Sequence, residues 1–553
     1  MVSSTVHEAR IESRREHSAH SNERVSILLI GAGPTGLTLA NLLGTQGASG
    51  LLVERNLSTG HEPRAVSIDD ESLRTMHTIG LGDSVLRSIV PGYGSDYLMP
   101  SGRCFLTVDP SGKPFGFPRR NAFRQPLLEA QLQQGTSRFS GITTLYGWSL
   151  TKFDQDMDGV TAWLSDKDGS VRVVRCQYLV GCDGASSTVR HQLGVTLEGE
   201  TFTERWLIVD LANSPAERRN TVVYCNSERP CIALPGPDQT RRFEFKLRPN
   251  ERDDDMLRTE IVARLLASHG AHRDSTLVRK VVYTFHARIA ARWSERRVFL
   301  AGDAAHLTPP FAGQGMNSGI RDSSNLAWKL ACVTSGRISS TILATYEMER
   351  RNHVNQMIQL ALRMGRIMGP RSWLHGFLTQ RCLLAIGVWP AAKSFFAEMK
   401  YKPKPRFRSG FMLTDGIGAR RTLVGRMLVQ PKVTLTEGKL SLLDECLGTG
   451  FALLGIGIAA SDLRRACSEP IIARLSPRCT VLVDTTSRSQ IDSVSDDVVD
   501  VALVECYPQE LEPYLGRILL VRPDRYVATS GFVDGPGSIA SAVQTLLSMW
   551  ISR

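Results

Sequence analysis

The 553-residue chain has no C-x-x-C pair among its 11 cysteines, no internal repeat and no low-complexity tract. It also lacks an apolar run of the roughly 18 residues that a membrane span needs. The nearest approach, residues 383–396, is interrupted by Gly387, Pro390 and Lys393. Without C-x-x-C a structural zinc site is disfavoured. The spacings Cys176 to Cys182 and Cys225 to Cys231 fit no metal pattern either, so no metal is expected. Reduced thiols in a cytoplasmic protein are the simplest account of the cysteines. Residues 1–24 lack the apolar core of a secretory signal and read as a disordered lead-in. Lys and Arg outnumber Asp and Glu by 66 to 55, a net charge of +11, yet they are scattered rather than bundled into a tail. That argues against nucleic acid as a partner and leaves a solvated surface, or a mild field that draws in small anions.

With 42% hydrophobic and 22% charged residues, the composition is that of a globular protein too long for one core. The run V25-S-I-L-L-I30 fits a buried parallel strand, residues 37–43 a helix, and L51-L-V-E54 the next strand, which makes one βαβ unit. Residues 160–164 and 171–180 read as a hairpin returning to the same sheet. Alternating segments over 200–290, such as R242-F-E-F-K-L247, predict an antiparallel sheet. Residues 318–362 are helical in pattern, with Ile320, Ala327, Leu330 and Ala331 on one face. The Pro/Lys/Arg-rich residues 400–408 read as a linker. Strands near 451–454, 480–483, 501–504 and 518–521 form a final module. The expected divisions are 1–24 lead-in, 25–195 and 289–335 for the two parts of one domain, 196–288 inserted into it, 336–424 helical region and linker, and 425–553 the last module.

Three elements carry chemistry. Gly31-x-Gly33-x-x-Gly36, opening a helix at Pro34, has the dinucleotide spacing. Its glycines permit a tight turn, close approach to a pyrophosphate and close helix packing. Glu54, with Arg55 beside it, ends the next strand where a carboxylate can accept from a ribose. The second element ends the strand V298-F-L-A-G-D303 at Gly302 and Asp303, where a carboxylate could hold a polyol chain such as ribityl. Pro309, Pro310 and the loop Gly313-Gln314-Gly315-Met316-Asn317 come next, then a helix whose N-terminus would stabilise negative charge on a reduced ring. The third, Gly181-Cys182-Asp183-Gly184, precedes a helix expected over 185–193; alone it is equally a structural turn. His306 reads as a structural histidine capping its loop. A decoy, G455-x-G457-x-x-A460 with Asp484 downstream, is cut by Pro470 and reads as a plain turn.

In this order and separation the three elements resemble the flavoprotein aromatic hydroxylases, the group A monooxygenases, over most of the chain. The resemblance implies an α/β fold. It would comprise a Rossmann-like FAD-binding domain with an inserted antiparallel-sheet substrate domain, and a C-terminal thioredoxin-like domain, here without C-x-x-C. It implies FAD at the first and third motifs of the family, Gly31 to Gly36 and Gly302-Asp303, and a role for Asp183-Gly184 toward both FAD and the pyridine nucleotide. It adds Arg64 and Gln125 as FAD contacts. Pro309, Pro310, Gly313, Gln314, Gly315 and Asn317 are then expected on the flavin's active face. NADH or NADPH and O2 are the implied co-substrates, and a homodimer is allowed. The passages P63-R-A-V-S-I-D-D-E-S-L-R-T-M76, R119-R-N-A-F123, R241-R-F-E-F245, Q430-P-K-V-T-L435 and R522-P-D-R-Y-V527 resemble the subgroup that ortho-hydroxylates 3-(3-hydroxyphenyl)propionate and 3-hydroxycinnamate. Phe311, Ala312 and Met316 depart from that subgroup's Trp-Gln and Tyr. A related hydroxylase of another phenol or a polyketide-type aromatic is therefore the alternative. Neither the W-x-W-x-I-P of flavin halogenases nor the second mid-chain fingerprint of Baeyer–Villiger enzymes is present.

Overall fold

A strand that is apolar on both faces must be covered on both sides. In the computed structural model the first such run lies in β1 (Glu23–Ile30), with Ile27 to Ile30 buried. The structure describes residues 23–60, 62–215, 218–370, 372–435, 438–485 and 499–550. The lead-in expected at 1–24 falls outside them, apart from Glu23 and Arg24, which open β1. The helix α1 (Pro34–Thr45) starts with proline, whose missing N–H is harmless in the first turn. β2 (Gly50–Glu54) returns parallel to β1. Ile142–Tyr146 extends the sheet beyond β2, while Val171–Gly181 and then Val298–Leu300 extend it beyond β1, all in parallel. The antiparallel hairpin of Val160–Asp166 with Val171–Gly181 rejoins this sheet, as its alternation predicts.

The second sheet has eight strands, with Thr276–Ala290, Leu197–Ala212, Arg241–Lys246, Cys231–Pro235 and Thr221–Tyr224 in antiparallel succession. It also recruits Ser95–Leu98 and Cys104–Val108 from far upstream, joined through a parallel pairing of Thr221 with Ser95. Alternation sorts its faces. Phe243 and Phe245 pack into a core with Met256 and Val262, whereas Arg242 and Glu244 turn toward a cleft between the two sheets.

The helix Gly315–Thr334 packs along α1, and Thr345–Met368 packs against it and reaches the first sheet through Tyr346, whose hydroxyl donates to Leu300 O. The last module is a seven-stranded sheet. Ala452–Ile456, Arg478–Asp484 and Val499–Val504 run parallel, and Arg517–Val521 with Val527–Gly531 forms an antiparallel hairpin on the other side of Ala452–Ile456. With the helix Ala460–Cys467 after the first strand and Ile539–Ser548 after the last, this is the thioredoxin-like order. The decoy turn at Gly457 is filled by protein, for Tyr507 and Leu515 pack against it. The reduced-thiol expectation fails at one place: Cys467 and Cys479 form a disulfide. The helix that ends at Cys467 lies over the strand that carries Cys479, a contact no spacing rule announces.

Candidate active site

The three motifs meet because backbone crosses backbone where only glycine fits. A Cβ on Gly31, whose φ is +103°, would come within 2.6 Å of the Cys182 carbonyl oxygen. One on Gly36 would come within 1.9 Å of the Gly31 oxygen, and one on Gly302 within 2.5 Å of Thr35 Oγ1. Cys182 N donates to Ile30 O at 2.7 Å and Ala301 N to Gly181 O at 2.9 Å. Segments 31–36, 181–184 and 301–303 are thus one constellation at the carboxyl ends of parallel strands.

They border a single cleft of about 660 Å³ that runs between the two sheets. One end is polar. Gly31, Gly33, Pro34, Glu54, Arg55, Arg64, Gln125, Asp183 and Gly184 line it. No side chain caps the N-terminus of α1, so its free N–H groups point at this end. Glu54 Oε2 accepts from Ala32 N at 2.8 Å, tying β2 to the glycine turn. Gln125 Oε1 accepts from Ala65 N at 2.6 Å, and its amide donates to Glu129, whose carboxylate in turn holds Gly60 N. The segment from Gly60 to Ala65, with Arg64, is clamped along the cleft in this way.

The other end is an apolar chamber. Met357, Met364 and Met368 from one helix meet Tyr97, Val223 and Ile232 from the second sheet, with Phe285, Phe311, Met399 and Tyr401 at its edge. Phe311 packs its ring 5.4 Å from Trp206 and 5.7 Å from Phe285, so this departure from the subgroup's pattern is built into the wall. Between the two ends lie Asp303, Pro310, Gly313, Gln314, Gly315 and Met316.

The comparisons with known proteins agree with this architecture. The family described as FAD binding domain matches residues 24–361, and the HcaD C-terminal domain matches residues 425–546. The chain belongs to the flavoprotein aromatic hydroxylases. It is 36% identical over 533 residues to the 3-(3-hydroxy-phenyl)propionate/3-hydroxycinnamic acid hydroxylase of Escherichia coli K12, covering 96% of each chain. Among solved structures, aklavinone-11 hydroxylase in a ternary complex with FAD and aklavinone is similar at 25% identity, with a TM-score of 0.72 over 97% of this chain and 100% of that one. The flavin-dependent monooxygenase PieE shares the fold at 22% identity, with a TM-score of 0.76 over 96% of this chain and 100% of that one.

The cofactor of this hydroxylase is FAD, and the residues present fit it. The Asp303 carboxylate opens into the cleft with no hydrogen-bond partner among the described residues. Burial in the surrounding protein raises its affinity for a proton, against the pull of His306 and Arg64. A polyol hydroxyl would satisfy it. Gly33 lines the cleft and has nothing within 4 Å of where its Cβ would stand, so the backbone there can be approached closely.

Other predicted residues support the cleft from behind. Gly36, Pro309, Gly302 and Asn317 do not line it. Asn317 is buried and makes four hydrogen bonds: its Oδ1 accepts from Asp69 N and Ser72 Oγ, and its Nδ2 donates to Ser67 O and Gly313 O. It holds the loop Gly313–Gly315 against the strand Ser67–Asp69. The Asp183 carboxylate accepts from Ser187 Oγ and Val189 N, which delays the expected helix until Thr188. Burial nonetheless raises its carboxyl above the ordinary range. His306 is fully buried, with Nε2 2.6 Å from Asp322 Oδ2, and does not line the cleft; the structural reading holds.

Sequence reasoning missed the floor of the chamber. Tyr401 and Lys402 come from the passage read as a linker. Lys402 Nζ reaches Asp69 at 3.0 Å and Glu71 at 3.2 Å, and Arg321 bonds the same two carboxylates. Burial pushes the neighbouring Asp70 carboxyl up to about 7, with Lys402 opposing and Asp69 and Glu71 adding to the rise. A Tyr-Lys pair inside a basic stretch was the only signal, and composition reads such a stretch as exposed.

Proposed function

We propose that this hydroxylase inserts one oxygen atom of O2 ortho to the hydroxyl of a phenolic acid, foremost 3-(3-hydroxyphenyl)propionate and 3-hydroxycinnamate. The second oxygen leaves as water, and NADH or NADPH supplies the two electrons. The observation that carries this reading is the continuity of the cleft: a polar end and an aromatic and Met-lined chamber are one space. The name of the relative that is 36% identical over almost the whole length supports the substrate class. Bound FAD supplies the electron transfer from reduced nicotinamide to O2.

The chain's own residues do the rest. The α1 N-terminus with Gly31 and Gly33 receives the pyrophosphate, Glu54 the ribose, and Asp303 the polyol chain, with Arg55, Arg64 and Gln125 alongside. Pro310 and the Gly313–Gly315 backbone would border the ring system, in a loop that Asn317 holds and Pro309 leads into. The chamber holds the phenol against that loop and excludes water, which preserves reactive oxygen species for the ring. The Met357, Met364, Met368 and Met399 side chains adapt to ring shape, which favours a bulkier aromatic as the second reading.

The test is direct. Purified protein loaded with FAD is given NADH or NADPH and a panel of hydroxyphenyl acids and polycyclic phenols. The phenolic acid is expected to accelerate nicotinamide oxidation and to gain one oxygen atom from O2. Nicotinamide oxidation that yields peroxide with every acid rejects the substrate, and a product from a polycyclic phenol alone selects the second reading.

A further inference from the structure

The chamber contains one cation whose charge the protein leaves unanswered. Lys402 is neutralised by Asp69 and Glu71. Arg242 is neutralised by Asp210 and also donates to the carbonyls of Pro63 and Arg64. Arg120 also lines the cleft, and no carboxylate lies within ion-pair distance of it among the described residues. The groups that face its guanidinium are phenols: Tyr93, Tyr97 and Tyr401. It lies over the Tyr93 ring, 4.7 Å from the centroid, and donates to Ser95 Oγ. Tyr93 and Ser95 are themselves buried.

A guanidinium has five N–H donors in a planar fork. Stacking on Tyr93 satisfies its face but not its edge, and Ser95 takes a single donor. Removing such a charge from water without a counter-charge is costly. The position is also rigid. Arg120 begins the strand Arg120–Ala122, in register with Asp69, and the next residue, Asn121, is fully buried with its amide donating to Ile68 O and Pro118 O. The partner strand Ser67–Asp69 is the one that Asn317 ties to the Gly313–Gly315 loop. Arg120 therefore stands at a fixed place relative to that loop, at the edge of an aromatic chamber, with an edge free for a bidentate anion.

We propose that Arg120 receives the carboxylate of the phenolic acid and makes the chamber selective for phenols with an anionic side chain. This rests on the phenol-hydroxylase reading for the identity of the ligand, but binding tests it without turnover. The experiment measures equilibrium binding of 3-(3-hydroxyphenyl)propionate, of its primary amide and of 3-ethylphenol to the FAD-loaded full chain, alongside turnover of each. Wild type, Arg120→Met and Arg120→Lys are compared. The Met variant is expected to bind the acid about 10- to 100-fold more weakly, the value of a charge-assisted hydrogen-bonded contact, while its affinity for the two neutral phenols is unchanged. The Lys variant recovers part of the loss, and it also serves if the Met variant does not fold. Equal weakening for acid and neutral phenols would assign Arg120 to the chamber wall and overturn the proposal. So would unchanged binding of the acid, or a wild type that does not bind it. Selective loss of acid binding in a protein that hydroxylates none of the three would keep the anchor and reject the reaction.

Discussion

At the scale of single residues, the cofactor end is set by atoms that are missing. Gly36→Ala places a methyl 1.9 Å from the Gly31 oxygen, so α1 must move away from the turn that presents its N–H groups. Overpacking of this kind costs about 1–3 kcal/mol. We expect the purified variant to carry much less flavin, read from its visible absorbance, and wild-type flavin content would contradict the assignment. These positions were legible in the sequence because the glycine spacing between a strand and a helix is itself a local signal, although Gly31 is also crowded by the distant Cys182 carbonyl. Arg120, Tyr401 and Lys402 were not legible, since their meaning comes from partners on other elements: Tyr93 and Ser95 for Arg120, and the distant Asp69 and Glu71 for Lys402. Asp183 shows the intermediate case. Its motif was visible, but the hydrogen bonds from Ser187 and Val189 were not.

At the scale of elements, the loop between Pro309 and the helix Gly315–Thr334 depends on one buried amide. Asn317→Ala removes four hydrogen bonds and leaves buried partners unsatisfied, including the Asp69 N–H and the Ser72 hydroxyl. A loss on the order of 3 kcal/mol is expected, visible as a lower melting temperature. More tellingly, the loosened loop should admit water, so a larger share of nicotinamide oxidation ends as peroxide. A variant that melts early yet couples oxidation to product as tightly as wild type would show that Asn317 supports the fold alone. The pattern of glycines predicted this loop, and helical periodicity predicted the long helix after it. The strand that the loop rests on, Ser67–Asp69, has three residues and no periodicity to detect. The same limit applied to the second sheet: its strands from 200 to 290 alternate, but the edge formed by Ser95–Leu98 comes from another part of the chain.

At the scale of the whole molecule, buried ion pairs lock the C-terminal domain onto the flavin domain. Arg74 meets Asp444 at 2.7 Å, and Arg522 meets Glu349 at 2.8 Å, with all four side chains nearly inaccessible. Burial alone would raise both carboxyls. Arg525 and Arg74 overcome it at Asp444, and Arg522 and Lys329 at Glu349, so both titrate at about 2, against 3.8 and 4.5 for free side chains. A carboxyl depressed by folding stabilises above its unfolded value and loses that contribution as pH falls through the folded one. The docking is therefore expected to hold at neutral pH and to weaken from roughly pH 4.5 toward 2, the window these two shifts define. Asp444→Asn removes the counter-charge of Arg74 and one of its three hydrogen bonds and should cost about 3–5 kcal/mol, with a shallower acid dependence in an unfolding titration. An Asn variant with the stability and acid profile of wild type would contradict this.

The central claim, that FAD and the phenol occupy one continuous cleft, is tested most directly by the flavin's own colour. FAD-loaded protein is titrated with 3-(3-hydroxyphenyl)propionate without nicotinamide, and the visible bands are followed beside equilibrium dialysis of the acid. The account predicts a saturable shift of the flavin bands with the same midpoint as binding. Saturated binding that leaves the bands unmoved would place the phenol elsewhere and contradict it.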